Sequence, residues 1–169
     1  QVSMMLAPTL EQVRDWCNLS PSVYPRVAFD IETIHKSIRC ISFARQQHNV
    51  VSTICIPFIK FTSSADYIPI KSTLINIDSY PQSDNAHSYW KKDDEVIVLE
   101  SINKLLTDKT IQKVGQNSIG FDAPLIEQNF KIPINNHYMD TMDAWHLLYP
   151  ELPKSLNFLA SVLTNYPAY

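Results

Sequence analysis

The alternation of apolar and polar positions along the 169 residues of the chain predicts strands first and alternating helices and strands afterwards. A capping-box spacing at Thr9 predicts a short helix that ends near Leu19, with Val13 and Trp16 on its buried face. Three strand-like runs come after it, at residues 26–30, 38–44 and 49–58. Because a short link joins the first two runs, we expect them to pair as an antiparallel hairpin.

The second half of the chain alternates helix and strand. Apolar side chains recur at helical spacing after residue 93, and they are Val96, Leu99, Ile102, Leu105 and Leu106. The elements predicted after them are a strand at 111–114, a helix at 121–129, a strand ending at Asp140, and helices at 141–148 and 155–163. This order predicts an α/β fold with a mixed β-sheet flanked by helices.

The predicted organisation is a single domain over residues 1–169. Residues 1–25 would form the N-terminal helix and a lead-in to the sheet. Residues 61–89 are rich in Ser, Asn, Asp and Pro, and we interpret them as an irregular insertion. This insertion is either a plain surface excursion or a segment that carries a small hairpin or lines a substrate channel.

Charge and cysteine content narrow the functional classes. A net charge of -3 argues against a broad basic surface for duplex DNA, but it leaves open an enzyme that grips a short single-stranded end. Cys17, Cys40 and Cys55 lack paired spacing, which predicts buried free thiols and a cytoplasmic or other reducing intracellular compartment. The apolar runs are too short to span a membrane, so no membrane partner is predicted.

Two carboxylates at the end of the first predicted sheet strand are the strongest candidates for chemistry. Asp30 and Glu32 are one residue apart, so a β-strand places both side chains on the same face. Unpaired charge at the end of a hydrophobic strand is costly, and a shared divalent cation removes that cost. We therefore expect a metal site here.

Asp122 is the third candidate acid. It lies after a strand and a turn that contains Gly115 and Gly120, the two glycines of the chain. Glycine lets backbone approach a ligand closely, and a helix start presents amide groups to anions. Taken alone, Asp122 is typical of an ordinary acid at a helix N-terminus. Together with the pair on the strand, it indicates a third metal ligand.

These stretches resemble two motifs of the DEDD superfamily of 3′–5′ exonucleases, most closely the proofreading domain of family A DNA polymerases. Residues 29–33, Phe-Asp-Ile-Glu-Thr, resemble the first motif, and residues 117–122, Asn-Ser-Ile-Gly-Phe-Asp, resemble the second. Residues 140–148 and 155–160 are similar to the stretch that comes after the second motif in polymerase members. The resemblance spans roughly residues 26–164.

The resemblance implies a ribonuclease-H-like mixed sheet and removal of nucleotides from the 3′ end of single-stranded DNA, with RNA also possible. It implies two divalent ions, Mg²⁺ or Mn²⁺, that bracket the scissile phosphate. Asp30, Glu32 and Asp122 would be the catalytic metal ligands. The residues that would contact the substrate are Ile31, Thr33, Asn117 and Phe121. Phe121 would pack on the terminal nucleotide or, equally, lie in the core beneath the site.

The family pattern also includes a fourth acid on a late helix, preceded by a tyrosine or histidine. Two local pairs stand nearest to it, His137 with Asp140 and Tyr138 with Asp143, and neither has the family's spacing. We therefore expect the C-terminal part of the domain to be truncated, in a piece of a longer polymerase chain that is weakly active or inactive alone. Alternatively, a partner chain supplies the missing helix.

Two rival interpretations stay open from the sequence. One is a free-standing exonuclease of the same fold that trims RNA or DNA. The other is a non-catalytic module that keeps the fold as a scaffold or strand-binding surface. The three acids Asp30, Glu32 and Asp122 weigh against the scaffold, whereas the missing fourth acid weighs for it.

Overall fold

The computed structural model describes residues 2–34, 36–61, 70–71 and 86–165 of the chain. Its elements, in chain order, are β1 (Val2–Leu6), α1 (Leu10–Cys17), β2 (Arg26–Ile34), β3 (Ser37–Gln47), β4 (Val50–Pro57), β5 (Ile59–Phe61), β6 (Ile70–Lys71), β7 (Ala86–Ser88), α2 (Lys92–Thr107), β8 (Gln112–Gly115), α3 (Asp122–Phe130), β9 (His137–Asp140), α4 (Thr141–Leu148) and α5 (Leu156–Leu163).

A mixed six-stranded sheet in the order β1-β4-β3-β2-β8-β9 carries the domain. Strands β2, β3 and β4 are antiparallel neighbours. The remaining pairs, β1 with β4, β2 with β8 and β8 with β9, are parallel. The predicted mixed sheet and the hairpin of β2 and β3 are therefore confirmed.

The helices begin where the sequence provides caps. The Thr9 hydroxyl accepts a hydrogen bond from the Gln12 amide at 3.3 Å, and the Gln12 side chain accepts one from the Thr9 amide at 2.8 Å. This reciprocal pair is the predicted capping box. Val13 and Trp16 are buried as expected, and α1 packs against α2.

Strand β1 departs from the prediction of a helix and a lead-in over residues 1–25. It joins the sheet as an edge strand parallel to β4. Met4 and Leu6 are 65% and 66% exposed, so this strand lacks the buried face that gives a strand its sequence pattern. Strand β2 also runs to Ile34, beyond its predicted end at Asp30, because pairing with β3 continues to Ser37.

The insertion lies mostly outside the described residues. At its two ends and at residues 70–71 within it, β5, β7 and β6 form a second, three-stranded sheet in the order β5-β7-β6. Trp90, just after it, is buried and donates from its indole nitrogen to the Pro57 carbonyl oxygen at 2.7 Å. That contact anchors the end of the insertion to β4.

The three cysteines are free thiols, but they differ in burial. Cys17 is buried, whereas Cys40 and Cys55 are half-buried, which corrects the prediction that all three lie in the core. Both half-buried thiols lie on strands of the main sheet, β3 and β4. Among the described residues, every helix is too short or too polar to cross a bilayer.

Helix α2 corrects one predicted core position. Ile102, Leu105 and Leu106 are buried as predicted, but Val96 is 40% exposed and Val98 is fully buried. Spacing identifies the helix, whereas its rotation about its own axis is fixed by packing against the sheet and α1.

Val98→Ala is therefore expected to lower the free energy of unfolding by about 2 kcal/mol, because it removes buried methyl groups and leaves a cavity. Val96→Ala is the matched control and is expected to change it by less than about 0.5 kcal/mol. Urea unfolding followed by circular dichroism measures both values. Equal losses from the two variants would contradict this orientation of α2.

Candidate active site

Strand β2 carries two of the candidate acids on one face. Phe29 and Ile31 are 3% and 4% exposed and belong to the core. Asp30 and Glu32 alternate with them and are exposed. The strand therefore presents both carboxylates on the face opposite its buried side chains, as the alternation in the sequence predicts.

The third acid reaches the same strand through the backbone. Pairing of β2 with β8 covers Arg26 to Ala28, and Gly115 ends β8 shortly afterwards. Beyond that point, the Ile31 amide donates a buried hydrogen bond of 2.9 Å to Oδ1 of Asp122. Asp122 is the first residue of α3 and is 2% exposed. The Asp122 side chain thus accepts the hydrogen bond that the backbone of a neighbouring strand would otherwise accept.

The electrostatics of these acids indicate a site for positive charge. Partial desolvation of the carboxyl group, and after it the nearby Glu32, raises the pKa of Asp30, although the residue as a whole is exposed. Burial is also the main cause that raises the pKa of Asp122 to about 6; the Ile31 hydrogen bond opposes this shift, and the charge of Asp30 adds to it. A cation between these groups would relieve the desolvation and repulsion that disfavour their ionised forms.

The donor set fits Mg²⁺ or Mn²⁺, which prefer oxygen ligands. Within the part of the chain that the structure describes, no group of three or more His, Cys, Asp or Glu side chains is arranged to hold a metal ion. Mg²⁺ is commonly bound by one or two carboxylates, water and substrate phosphates instead of an all-protein cage. Asp30, Glu32 and Asp122 match that kind of open site.

The turn before α3 is held by Asp140, the N-cap residue of α4. Oδ1 of Asp140 accepts from the amides of Asn117 and Met142 at 2.8 and 3.0 Å. Its Oδ2 accepts from the Ser118 hydroxyl at 3.2 Å and from the Ile119 amide at 3.0 Å. The sequence predicts Asp140 at the end of a strand but does not predict this role. The one sign of it is an aspartate at the N-cap of a helix, in a chain whose earlier glycine turn has amides without partners of their own.

The predicted contact residues differ in exposure. Asn117 is exposed, with a left-handed φ of 57°. Phe121 is 44% exposed, so it lies at the surface next to Asp122 and not in the core. Thr33 is half-buried and comes after a bulge in β2. The Ile31 side chain is buried and its amide is bound to Asp122, so neither of them is free to contact a substrate as the resemblance implies.

The pair of His137 and Asp140, considered for the missing fourth motif, contacts the turn. Nε2 of His137 lies 2.9 Å from the Ser118 hydroxyl, and the ring meets the edge of Phe29 at 5.5 Å between centroids. Burial lowers the pKa of His137. Tyr138 is 51% exposed and lies under the Arg26 guanidinium at 5.1 Å.

Two thiols adjoin the site, a feature that the sequence does not predict. Glu32 lies opposite Cys40 across β2 and β3, and Asp30 lies opposite Ser42, which in turn lies opposite Cys55. Directly opposite residues of antiparallel strands share a face. A hydrogen bond with Cys40 is the main cause that lowers the pKa of Cys55. The spacing of the cysteines along the chain does not indicate that Cys40 and Cys55 lie close to Asp30 and Glu32.

The two glycines have unequal roles in the turn. A Cβ atom added to Gly115 would lie 2.2 Å from Oγ of Ser118, whereas one added to Gly120 would lie 3.3 Å from Oδ1 of Asn117. At Gly115 the close approach is therefore one between the backbone and the side chain of Ser118.

Gly115→Ala is expected to lower the free energy of unfolding by about 1–3 kcal/mol, because the new methyl group overlaps the fully buried Ser118. Gly120→Ala is the matched control; it meets the end of an exposed side chain, so the expected change is less than about 1 kcal/mol. Thermal and urea unfolding compare the two. A Gly115→Ala variant as stable as the Gly120→Ala variant would show that Ser118 moves freely.

Comparison with known proteins agrees with this architecture. Brucella melitensis NrnC is 13% identical, with a TM-score of 0.53, and the match covers 100% of this chain and 62% of NrnC. A second NrnC structure, with bound Mg²⁺, is 14% identical with a TM-score of 0.51, covering 100% and 63%. Trypanosoma brucei RNase D, in complex with RNA U12, is 14% identical with a TM-score of 0.59, covering 98% and 49%.

These similarities establish the fold, and the chain spans less than two thirds of the length of each of these three structures. No curated protein sequence matches the chain. The family model DNA_pol_A_exo1, described as 3'-5' exonuclease, matches residues 6–168. The ribonuclease-H-like mixed sheet expected from the sequence is thereby confirmed, and the chain belongs to the DEDD-type 3'-5' exonuclease family.

Proposed function

We propose that this domain removes nucleotides from the 3′ end of a single nucleic acid strand by metal-assisted hydrolysis of the phosphodiester bond. The observation that carries the proposal is that Asp122, whose carboxylate accepts from the Ile31 amide at 2.9 Å, lies near Asp30, which shares a face of β2 with Glu32. Family membership gives the reaction class. The raised pKa values of Asp30 and Asp122 support the presence of a cation in the working site.

Asp30, Glu32 and Asp122 would hold two divalent ions, Mg²⁺ or Mn²⁺, and bound Mg²⁺ in the NrnC structure supports this assignment. When bound, such ions activate a water molecule and stabilise the oxygen that leaves the phosphate. The chain's own part is to fix its three carboxylates. Asp30 and Glu32 are fixed by the pleat of β2, and Asp122 by its hydrogen bond to Ile31.

The surface next to Asp122 suits the end of a single strand. The exposed ring of Phe121 offers a face on which a terminal base or sugar can stack. Asn117 is exposed two turn positions after Gly115 and presents an amide that can donate to a phosphate or sugar oxygen. The net charge of -3 favours a short grip on the strand over a broad electrostatic one.

As the host, we propose a family A-like DNA polymerase, in which this domain proofreads the growing 3′ end and the polymerase domain lies in the same or a partner chain. The two sequence motifs and the family model support this assignment. A reducing intracellular compartment agrees with three free thiols. The alternative is a free-standing RNA-trimming exonuclease, which is favoured by the RNA in the RNase D structure.

The test is digestion of a 5′-labelled single-stranded oligonucleotide by the full-length protein with Mn²⁺, analysed as a ladder on a denaturing gel. We expect stepwise shortening from the 3′ end and complete loss of it on adding EDTA. Asp30→Asn combined with Glu32→Gln is expected to slow shortening by about 10³-fold or more, because the metal ligands are lost.

The matched control is Glu11→Gln combined with Asp15→Asn, two exposed acids of α1, which should leave the rate unchanged. A double variant at Asp30 and Glu32 that digests at the wild-type rate would overturn the proposed site. The digestion rates of DNA and RNA of one sequence, measured in the same assay, distinguish a polymerase proofreading domain from a free-standing RNA-trimming exonuclease. Faster digestion of DNA supports proofreading, and faster digestion of RNA supports RNA trimming.

A further inference from the structure

We propose that Asp140 is a positioning residue of the candidate site, which acts by fixing the turn that delivers Asp122 to Ile31. The inference rests on the proposed function, because it gives Asp140 a purpose in the placement of a metal ligand. Asp140 is 4% exposed, and its carboxylate joins the start of α4 to the turn before α3.

The contacts of Asp140 use both oxygens fully. Three groups of the turn donate to it, the amides of Asn117 and Ile119 and the hydroxyl of Ser118, at 2.8, 3.0 and 3.2 Å. A fourth donor, the Met142 amide, belongs to its own helix at 3.0 Å. One buried side chain thus satisfies three donors from a segment more than twenty residues earlier in the chain.

A carboxylate is the side chain that this arrangement requires. It offers two acceptor oxygens, whereas an asparagine amide offers one acceptor oxygen and a nitrogen that only donates. In Asp140→Asn, the amide nitrogen would face donors on one side of the group, and a buried donor would lose its partner. Burial tends to raise the pKa of Asp140, but the hydrogen bonds from Ile119, Asn117, Met142 and Ser118 outweigh it, and the pKa is lowered.

Backbone hydrogen bonds connect the turn that Asp140 holds to Asp122, a few residues later in the chain. Asn117 is held in a left-handed conformation with a φ of 57°, which a side-chain-bearing residue adopts at a cost. The Phe121 amide donates to the Asn117 carbonyl at 3.0 Å, and the Ala123 amide donates to the Ser118 carbonyl at 2.8 Å. These bonds tie the first residues of α3 to the part of the turn that Asp140 holds, so its loss frees the start of α3.

Ser118 supplies the second anchor of the same arrangement. It is fully buried, and its hydroxyl lies within hydrogen-bond distance of both Asp140 and Nε2 of His137. Ser118→Ala therefore removes one donor to Asp140 and leaves the backbone donors in place. It is the milder variant for the test.

The experiment has one readout that does not depend on activity, the hydrogen exchange of the Ile31 amide in the metal-free full-length protein, measured by NMR. That amide donates to Asp122. Asp140→Asn is expected to speed its exchange at least 10-fold relative to the core amides of Ile41 and Ile56. Ser118→Ala is expected to speed it about 3-fold, and Asp93→Asn, an exposed acid in the first turn of α2, is expected to leave it unchanged.

The second readout is the Mn²⁺ dependence of oligonucleotide digestion. Asp140→Asn is expected to raise the Mn²⁺ concentration for half-maximal rate and to lower kcat, each by about 10–100-fold. KM for the oligonucleotide is expected to stay within about 2-fold, because Asp140 does not contact the strand. Asp93→Asn is again the control.

The outcomes separate this inference from the proposed function. An inactive wild-type protein overturns the nuclease, whereas the exchange of Ile31 still tests the positioning of Asp122. If Asp140→Asn does not fold, the exchange rate of the Ile31 amide in Ser118→Ala tests the inference instead. Faster exchange at Ile31, Ile41 and Ile56 alike would show a purely structural role and overturn the inference, as would exchange at Ile31 that stays at the wild-type rate.

Discussion

The hydrogen bond from the Ile31 amide to the Asp122 carboxylate, buried and 2.9 Å long, is the contact on which the candidate site depends. Strand β2 continues past its pairing with β8, and a buried amide there requires a partner. A carboxylate at the start of α3 provides one. The same contact brings Asp122 next to Asp30, so satisfying the backbone and assembling the acids are a single structural event.

Bringing the acids together disfavours their ionised forms. Phe29 and Ile31 secure β2 in the core, and the strand geometry then holds Asp30 and Glu32 together regardless of their repulsion. Burial raises the pKa of Asp122 to about 6, and Asp30 adds to the shift. A cation that binds the folded site removes this penalty, so metal binding and the stability of the fold are thermodynamically linked.

Local patterns predicted most of the fold, because the capping box at Thr9, the alternation in β2 and the helical spacing after residue 93 are short-range signals. Signals of the same short range, with the resemblance of their motifs, single out Asp30, Glu32 and Asp122 as candidates. Edge strand β1, the exposed side of Val96 and the place of Cys40 beside Glu32 are consequences of pairing and packing between distant segments. A sequence window does not contain that information.

The absence of a side chain at Gly115 ties two positions of the chain together. The space next to its Cα is occupied by Ser118, whose hydroxyl serves Asp140. A side chain at position 115 avoids this overlap only if residue 118 carries no Cβ atom, because the Cβ atom of Ser118 alone would lie 2.3 Å from it. That exchange also removes a hydrogen bond from the turn. Substitutions at positions 115 and 118 are therefore coupled, and a side chain at position 115 lowers the stability of the fold while Ser118 remains.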